Sequence, residues 1–438
     1  MTQPSAITIF NILRYEERKP PTIFIHDRSR DRLIVMAPST PLRVSVRTAN
    51  EHRLDTRSPP VTPTLMDESP SGSVLTPRSG FSSVSLTPVD DKRIDHASLH
   101  QDLAAPLEFH DSLEVQHDSH GKPYEYGRGV WSVVYMASSR PPSKSSLLTP
   151  PSSPAPGNHK VAVKSPSRRD AHVVLDAEAL ALSRISLFSG SGNYVVPFHG
   201  YIPGDHAIVL DAVPLSLATY IEDKAATAKQ NMSTRTMFDP VPGMASWKAL
   251  ATKLIRALSW LHNTPHIVHG DIKPHNLLLR PLEDEDTDSV DFPFTPLFAD
   301  FSSAHIIAGP ALSAEKNQPG TALTALTPPF AAPELLTVSS LTSLDVRPTP
   351  AADVFSLAVT LLAAATGDLL LYPGTSNMQR LAMAREGHRV IEFARSGAHG
   401  SRVPRNGLVE QIIKPALVKD PAERISLTDW LDLVEGLA

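Results

Sequence analysis

Short apolar runs typical of β-strands occupy the middle of the chain. Residues 130–136 are β-branched and aromatic, and residues 161–164 form a short strand of the buried type that ends in a Lys. Residues 176–187 instead carry apolar side chains at helical spacing. Two further strands are predicted over residues 194–201 and 207–210. The pattern therefore predicts a strand-rich unit that contains one helix.

Helical periodicity takes over after residue 217. Residues 247–262 place a row of leucines on one helix face, and residues 354–365 are almost entirely apolar. The second run is shorter than the roughly 18 residues of a membrane helix, so it predicts a buried helix. Two short runs, 277–279 and 297–298, predict a strand pair around an acidic insert. The predicted fold class is α+β, with a small β-rich lobe followed by a large helical lobe.

The first part of the chain has a different amino-acid composition. Proline is the compositional outlier, with 41 residues among 438, and Ser-Pro or Thr-Pro pairs recur between residues 40 and 88. Such a segment has no periodic apolar face, so residues 1–117 are expected to be a disordered tail that is dispensable for folding. The pairs are candidate targets of proline-directed kinases, and a merely biased composition is the equally weighted alternative.

Charge and cysteine content narrow the function classes. The formal net charge is −5, so no overall field attracts the chain to nucleic acid or to an anionic membrane. Neither is an expected partner. The chain has no Cys, which excludes disulfides, cysteine nucleophiles and Cys-based metal sites. An intracellular location, cytoplasmic or nuclear, is expected.

One polar loop follows the leucine-rich helix. Within His269-Gly270-Asp271-Ile272-Lys273-Pro274-His275-Asn276, Asp271 can accept a proton, Lys273 can neutralise a phosphoryl group and Asn276 can offer an oxygen to Mg²⁺. A polar loop at a helix end, with no chemistry, is the alternative.

Other candidate residues are spread along the chain. Asp300 ends an apolar strand and can hold a metal ion, although an ordinary strand-end Asp is the favoured interpretation when this residue is taken alone. Gly127 and Gly129 lie in a predicted strand–turn–strand, where a backbone without side chains can approach phosphates. A Gly-x-Gly pair taken alone is more typical of a plain hairpin turn. Lys164 ends a buried strand and needs an anion, for which Glu178 in the next helix is the evident candidate. A solvated strand end for Lys164 and a solvated helix face for Glu178 are the equally weighted alternatives.

Three further charged residues occur in the last part of the chain. Glu334 follows a proline-bounded loop, and Asp353 opens the helix, where an acid is favourable. Arg424 lies near the C-terminus, and if Glu334 and Arg424 are buried, each needs the other. An exposed pair, or no pair, is the alternative.

Taken in order, these motifs resemble those of the eukaryotic protein kinase family over about residues 120–438. The glycine loop, the Val-Ala-Val-Lys strand, the helix Glu, the His-Gly-Asp loop, the Asp-Phe-Ser triplet and the Ala-Pro-Glu triplet carry the resemblance. The Asp-x-Lys-Pro-x-Asn form resembles the serine/threonine branch. The resemblance implies a two-lobed kinase fold that transfers phosphate from ATP, with Mg²⁺, to protein substrates.

The resemblance also implies domain bounds. The kinase domain would span residues 118–438, with an N-lobe at about 118–211 and a C-lobe at about 214–438. Inserts are expected at residues 138–157, rich in Pro and Ser, and at residues 281–294, which are acidic.

Residue roles follow from the same resemblance. Asp271 would be the catalytic base, assisted by Lys273, with Thr327 orienting it. Asn276 and Asp300 would hold Mg²⁺, while Lys164, fixed by Glu178, would contact the ATP phosphates. The remaining ATP-binding residues would be Gly127, Gly129, Val134, Ala162, Leu210, Asp211 and Val213, with Leu210 controlling the back pocket and residues 211–213 forming the hinge.

Three positions depart from the family pattern. Gly270 replaces an Arg that pairs with an activation-loop phosphate, so phosphorylation at Thr321 or Thr324 is not expected to be obligatory. Ser302 replaces the glycine of the metal triplet, and Ser132 replaces the third glycine of the phosphate loop. A kinase-like scaffold without turnover and a small-molecule phosphotransferase are therefore the competing hypotheses.

Overall fold

The computed structural model describes residues 103, 105–140, 159–282, 291–307, 327–343, 346–372 and 376–437. Most of the predicted tail therefore lies outside the described residues, as do the Ser/Thr-Pro pairs, Thr321 and Thr324.

Strands dominate the first lobe. Within the described residues, six strands form one antiparallel sheet. Five of them follow the order β1-β3-β4-β6-β5, and β2 pairs with the beginning of β3. A single helix, α1 (His172–Ser186), packs against this sheet. The strands are β1 (Ser112–Val115), β2 (Glu125–Arg128), β3 (Ser132–Arg140), β4 (His159–Pro166), β5 (Phe198–Ile202) and β6 (Ala207–Asp211).

The predicted strand at 194–201 is shorter than expected. Only its second half is β5, because Pro197 interrupts the run and residues 191–193 form a 3₁₀ turn. Val195 instead makes an isolated bridge to Phe298 in the second lobe.

The second lobe is mainly helical, as predicted. Its strands are β7 (Leu215–Ser216), β8 (Ile267–Val268), β9 (Leu277–Pro281), β10 (Phe294–Phe298) and β11 (His305–Ile306). Its helices are α2 (Leu217–Gln230), α3 (Met244–Asn263), α4 (Val338–Thr342), α5 (Pro350–Thr366), α6 (Asn377–Arg385), α7 (Val390–Ser396), α8 (Leu408–Ile413) and α9 (Leu427–Gly436).

Helices α3 and α5 form the centre of this lobe. The predicted leucine row of α3 is completely buried: Leu250, Leu254, Leu258 and Leu261. Every residue of α5 from Ala352 to Thr366 is buried, which confirms the predicted core helix. Its hydroxyl groups do not remain unpaired, since Ser356 and Thr360 donate to helix carbonyl oxygens one turn back. The helix begins at the Thr349 cap and ends at a left-handed Gly367.

Pairing of β9 with β10 confirms the predicted strand pair. In this pair Pro281 lies opposite Phe294, so the acidic insert expected at residues 281–294 is narrower than predicted, and residues 283–290 lie outside the described part. The insert expected at 138–157 also begins later, because β3 continues to Arg140.

The expected tail boundary at residue 117 needs a larger correction. Strand β1 pairs with β3 over its whole length, from Ser112 opposite Arg140 to Val115 opposite Ala137. Leu113 and Val115 pack on the apolar face of the sheet. The folded unit therefore includes residues of β1. The proline-rich composition upstream had led us to predict them as part of the tail.

Candidate functional site

Lys164 and Glu178 meet between β4 and α1. The Lys164 Nζ atom lies 2.7 Å from both carboxylate oxygens of Glu178 and 2.8 Å from Oδ1 of Asp300. The Lys164 and Glu178 side chains are 7% and 0% exposed. A buried ammonium group requires such partners, because an unpaired charge is strongly unfavourable away from water. The structure therefore joins the expected Lys164–Glu178 pair to Asp300, which the sequence had singled out separately.

The charges of this cluster are set by mutual attraction. Burial opposes the charged form of Lys164, but Asp300 and Glu178 outweigh burial and raise the pKa of Lys164 above its usual value. Burial likewise acts against the Asp300 carboxylate, yet Lys164 holds the pKa of Asp300 well below its usual range. Lys164 and Asp300 are thus both ionised at neutral pH.

The Asp-Phe-Ser segment is joined to α1 by its backbone. The Phe301 N–H group donates to Oε1 of Glu178 at 3.1 Å, and the Phe301 side chain is buried. Glu178 therefore fixes Lys164 and the segment after Asp300 at the same time.

A second cluster surrounds Asp271 in the polar loop. Lys273 Nζ lies 2.6 Å from Oδ2 of Asp271, and Asn276 Nδ2 lies 3.1 Å from the same oxygen. Lys273 also donates to Oγ1 of Thr327 at 3.0 Å, which ties the loop to the segment before Glu334. Burial raises the pKa of Asp271 to about 6, and Lys273 opposes this rise. Asp271 is thus a carboxylate that can take up a proton close to neutral pH.

Asp353 anchors the backbone of this loop. Its carboxylate, 1% exposed at the start of α5, accepts hydrogen bonds from the N–H groups of His269 (2.8 Å) and Gly270 (2.9 Å). His262 Nε2, at the end of α3, lies 2.9 Å from Oδ2 of Asp353. Burial would raise the pKa of Asp353, but these hydrogen bonds outweigh it and lower the pKa. The polar loop is therefore fastened to the two central helices.

His269 connects the loop to the strand before Asp300. Its Nε2 atom lies 3.0 Å from the carbonyl oxygen of Ala299, which can only accept, so Nε2 carries the proton. Nδ1 then accepts from the Asp271 N–H group at 3.3 Å. Burial lowers the pKa of His269 and keeps the ring neutral. The ring also contacts Phe301, with 4.8 Å between centroids.

Asn276 and Asp300 are the expected metal ligands, and their chemistry fits Mg²⁺. The Asn276 amide nitrogen donates to the carbonyl and carboxylate oxygens of Asp271, which leaves its amide oxygen as the potential ligand. Asp300 is ionised and 39% exposed. Two oxygen ligands suit an ion that is completed by phosphate oxygens and water. Within the described ranges, no group of three or more His, Cys, Asp and Glu residues could hold a metal by itself.

Four of the expected ATP-binding residues share the Lys164 face of the first sheet. Val134 lies opposite Lys164 in the β3–β4 register, and Ala162 lies opposite Leu210 in the β4–β6 register. Residues two apart in a strand face the same side, so Val134, Ala162 and Leu210 lie on the Lys164 side. Gly127 is opposite Val134 and joins the same face.

The hairpin between β2 and β3 is closed tightly. The Gly129 N–H group donates to the Ser132 carbonyl oxygen at 2.8 Å. Trp131 at its tip lies beneath the guanidinium group of Arg168, 4.6 Å from the ring centroid. The loop is therefore a closed hairpin with Ser132 buried at its base, and phosphate binding by Gly127 and Gly129 stays a prediction.

The segment after β6 connects the lobes. Asp211 ends β6, and its Oδ1 atom lies 2.6 Å from Nε2 of His199 on β5. Val213 is 5% exposed and packs with Val196 and Leu297. The Val213 side chain is thus a structural anchor, and only its backbone is left to meet a ligand.

The structure gives a physical reason for Gly270. Its φ is +82°, a conformation that glycine adopts readily. A Cβ atom at this position would lie 2.6 Å from the Ser303 carbonyl oxygen. An Arg therefore does not fit here without a backbone shift.

Glu334 and Arg424 form an ion pair, in which the Arg424 side chain is buried. Arg424 Nη1 and Nη2 lie 2.8 and 2.7 Å from the two Glu334 oxygens. Arg424 also donates to the carbonyl oxygens of Ala351 and Val418, and its guanidinium group lies over the Phe355 ring. The pair fixes the segment after Thr327 to the second lobe.

The sequence did not predict two contacts of the site. One is between His262 and Asp353, and the other is between Lys164 and Asp300. A His at the end of one central helix and an Asp at the start of another were visible signals. Their pairing across 91 positions depends on how α3 and α5 pack.

Comparison with known proteins agrees with this geometry. The family model described as "Protein kinase domain" matches residues 160–433, more than half of the chain. The chain belongs to the protein kinase family. The predicted two-lobed fold is thereby confirmed, and kinases of this family generally use ATP and Mg²⁺.

Curated relatives of this kinase chain are distant. Two are named "Serine/threonine-protein kinase PknK", from Mycobacterium tuberculosis strains CDC 1551 / Oshkosh and ATCC 25618 / H37Rv. Each is 32% identical over 190 residues, which is 42% of this chain and 14% of the relative. The alignment therefore spans about one seventh of these relatives' length.

The helices of this kinase differ in length and in apolar character. Across the part of the chain that the structure describes, none combines the length and apolar character needed to cross a membrane.

Proposed function

We propose that this chain is an active serine/threonine protein kinase, which transfers the γ-phosphoryl group of ATP to Ser or Thr hydroxyls of protein substrates. The observation that carries the proposal is that both halves of the site are assembled together. Lys164 contacts Glu178 and Asp300, while Asp271 is held by Lys273 and Asn276. The names of the two relatives support the choice of Ser and Thr as acceptors.

Each residue has a defined part in this proposal. Asp271 accepts the proton of the acceptor hydroxyl, and Lys273 beside it neutralises charge on the transferring group. Lys164, positioned by Glu178, binds phosphate oxygens of ATP. Thr327 holds Lys273 in place. When bound by Asn276 and Asp300, Mg²⁺ supplies further neutralisation of phosphate charge.

A kinase-like scaffold is the second candidate, and Ser302 favours it. Ser302 occupies a position where glycine would leave the backbone next to Asp300 freer. Against the scaffold, the charged residues needed for transfer are present, and they contact one another within each of the two clusters. A small-molecule phosphotransferase is disfavoured by the Lys273-Pro274 continuation and by the Pro333-Glu334 segment.

The experiment measures transfer of radiolabel from ATP to a generic basic protein, followed by phosphoamino-acid analysis. We expect phosphoserine or phosphothreonine from the wild type and none from Asp271→Asn. A parallel panel of metabolite acceptors tests the phosphotransferase alternative. ATP binding without transfer to any acceptor would establish the scaffold and contradict the proposal.

Lys164→Met provides a sharper test. Methionine keeps the apolar stem but removes the charge, and a phosphate-neutralising group contributes several kcal/mol in the transition state, so kcat should fall about a thousandfold. The matched control is Lys160→Met, an exposed lysine at the start of the same strand, which should retain normal turnover. Equal melting temperatures for the two variants would assign the loss to chemistry.

Proline-directed kinases remain expected partners for residues 40–88. These residues lie outside the described part of the chain. Phosphopeptide mapping of the protein after incubation with a proline-directed kinase is the direct measurement.

A further inference from the structure

The residues just before β1 lie across both α1 and β5. We call this segment, residues 105–111, the strap. The Leu107 N–H group donates to Oγ of Ser183 in α1 at 2.8 Å. Tyr201 in β5 donates its N–H group to Leu107 O at 2.8 Å, and Phe109 donates to Tyr201 O at 2.9 Å. The strap is therefore joined to the helix and to the sheet through its own backbone.

The strap fits closely against the surface that receives it. Gly200, with φ +146°, faces Phe109 so closely that a Cβ atom would lie 2.8 Å from the Phe109 N and Cα atoms. Ser183 is 2% exposed, and its hydroxyl donates to Ala179 O at 2.7 Å while it accepts from Leu107. Both positions thus have the residue type that the contact requires.

Side chains also hold the strap on the sheet, on the face opposite Lys164. Phe109 packs against an apolar cluster that includes Val161 and Val209. Oδ2 of Asp111 accepts a hydrogen bond from Ser139 Oγ at 3.1 Å. Movement of the strap would therefore expose apolar surface and break polar contacts together.

Two contacts of α1, one with the strap and one with Tyr201 of β5, lie on opposite sides of Glu178. Ser183, five positions after Glu178, contacts the strap directly. Asp176, two positions before it, accepts a hydrogen bond from the hydroxyl of Tyr201, whose backbone pairs with the strap. Any outward movement of α1 away from Lys164 must break contacts at both points. The matched family region begins at residue 160, so the strap lies before it.

We propose that the strap is a positioning element, which holds α1 against the sheet so that Glu178 stays on Lys164. The consequence for catalysis rests on the proposed kinase function, whereas the effect on α1 does not. Ser183 and Gly200 are positioning residues and act through Glu178.

The test uses the full chain with Ser183→Ala and, separately, Gly200→Ala. Ser186→Ala is the control for the first, because its hydroxyl also donates to a helix carbonyl, Ser183 O at 2.7 Å, without touching the strap. Gly204→Ala is the control for the second, since a Cβ atom there meets nothing within 4 Å. Hydrogen exchange by mass spectrometry reports on α1, and steady-state kinetics report on kcat and KM for ATP.

We expect both test variants to increase exchange in α1 and to lower kcat/KM for ATP by about fivefold to thirtyfold, which corresponds to about 1–2 kcal/mol. The loss should appear mainly in KM, because bound ATP favours the assembled state. Both controls should match the wild type. If Gly200→Ala does not fold, Ser183→Ala decides alone.

Unchanged α1 exchange in Ser183→Ala would overturn the proposal, and so would a uniform increase across the whole domain. Selective loosening of α1, in a protein whose wild type shows no transfer at all, would support the strap and contradict the kinase proposal. The two failures are thus distinguishable.

Discussion

At the scale of single residues, burial of Asp271 sets the pH range of the proposed reaction. Burial raises the pKa of Asp271 to about 6, so the carboxylate is protonated below that pH and cannot accept a proton. We therefore expect kcat/KM to rise with pH through about 6. The measurement is a pH–rate profile of the wild-type protein.

Lys273→Met provides the comparison for this profile. Lys273 opposes the rise of the Asp271 pKa, so its removal should move the acidic limb to higher pH as well as lower the rate. A profile that stays flat from pH 5 to 8 would show that another group governs the reaction.

Gly270 is a position where we expect any side chain to lower the stability of the protein. Gly270→Ala would place a Cβ atom 2.6 Å from the Ser303 carbonyl oxygen, in a backbone with φ +82°. We expect a loss of unfolding free energy on the order of 3 kcal/mol, because steric overlap adds to the left-handed backbone strain. Urea unfolding of the full chain is the measurement.

Gly121→Ala separates these two contributions. Gly121 has φ +73°, but a Cβ atom there meets nothing within 4 Å, so only about 1 kcal/mol is expected. Equal losses for both variants would remove the steric explanation for Gly270.

At the scale of elements, the ion pair of Arg424 joins the segment before α4 to the segment before α9. Arg424 is 1% exposed on its side chain and reaches Glu334 with both terminal nitrogens. Arg424→Ala should lower the unfolding free energy by on the order of 3 kcal/mol, since Glu334 and two carbonyl oxygens lose their donor. Thermal and urea unfolding measure the loss.

The matched pair is Arg256 with Glu435, in which both side chains are about half exposed. Arg256→Ala should change stability by less than about 1 kcal/mol, because water and salt screen this pair. Similar losses in the two variants would mean that burial does not determine the strength of the Arg424 contact.

At the scale of the whole molecule, the boundary of the folded unit is testable by truncation. Removal of residues 1–104 leaves β1 and the strap intact, and we expect cooperative unfolding close to that of the full chain. Removal of residues 1–117 deletes β1 and uncovers the apolar face beneath Phe109, so we expect an aggregated or strongly destabilised product. Gel filtration and thermal unfolding distinguish the two outcomes. Equal stability of both truncations would contradict the role of β1.

Prediction from sequence succeeded where one local pattern dominates. The leucines of α3 and the apolar run of α5 each satisfy a helical period over several turns, and both are buried as predicted. It failed at β1, where four residues, Ser112–Val115, carry only two apolar side chains. A short edge strand gains its stability from pairing with β3, which no local pattern reveals.

The sequence by itself determined the order of the motifs and the chemical type of each side chain in them. Those were sufficient to predict a kinase-like fold and to select Lys164, Asp271 and Asp300, because carboxylates and ammonium groups have few roles in apolar surroundings. Tertiary structure alone decided the partners: Asp300 for Lys164 across 136 positions, Asp353 for the backbone of Gly270, and the strap for Ser183. The physical reason is that charge pairing and close packing depend on distances in space, which are fixed only when the separate elements assemble around a common core.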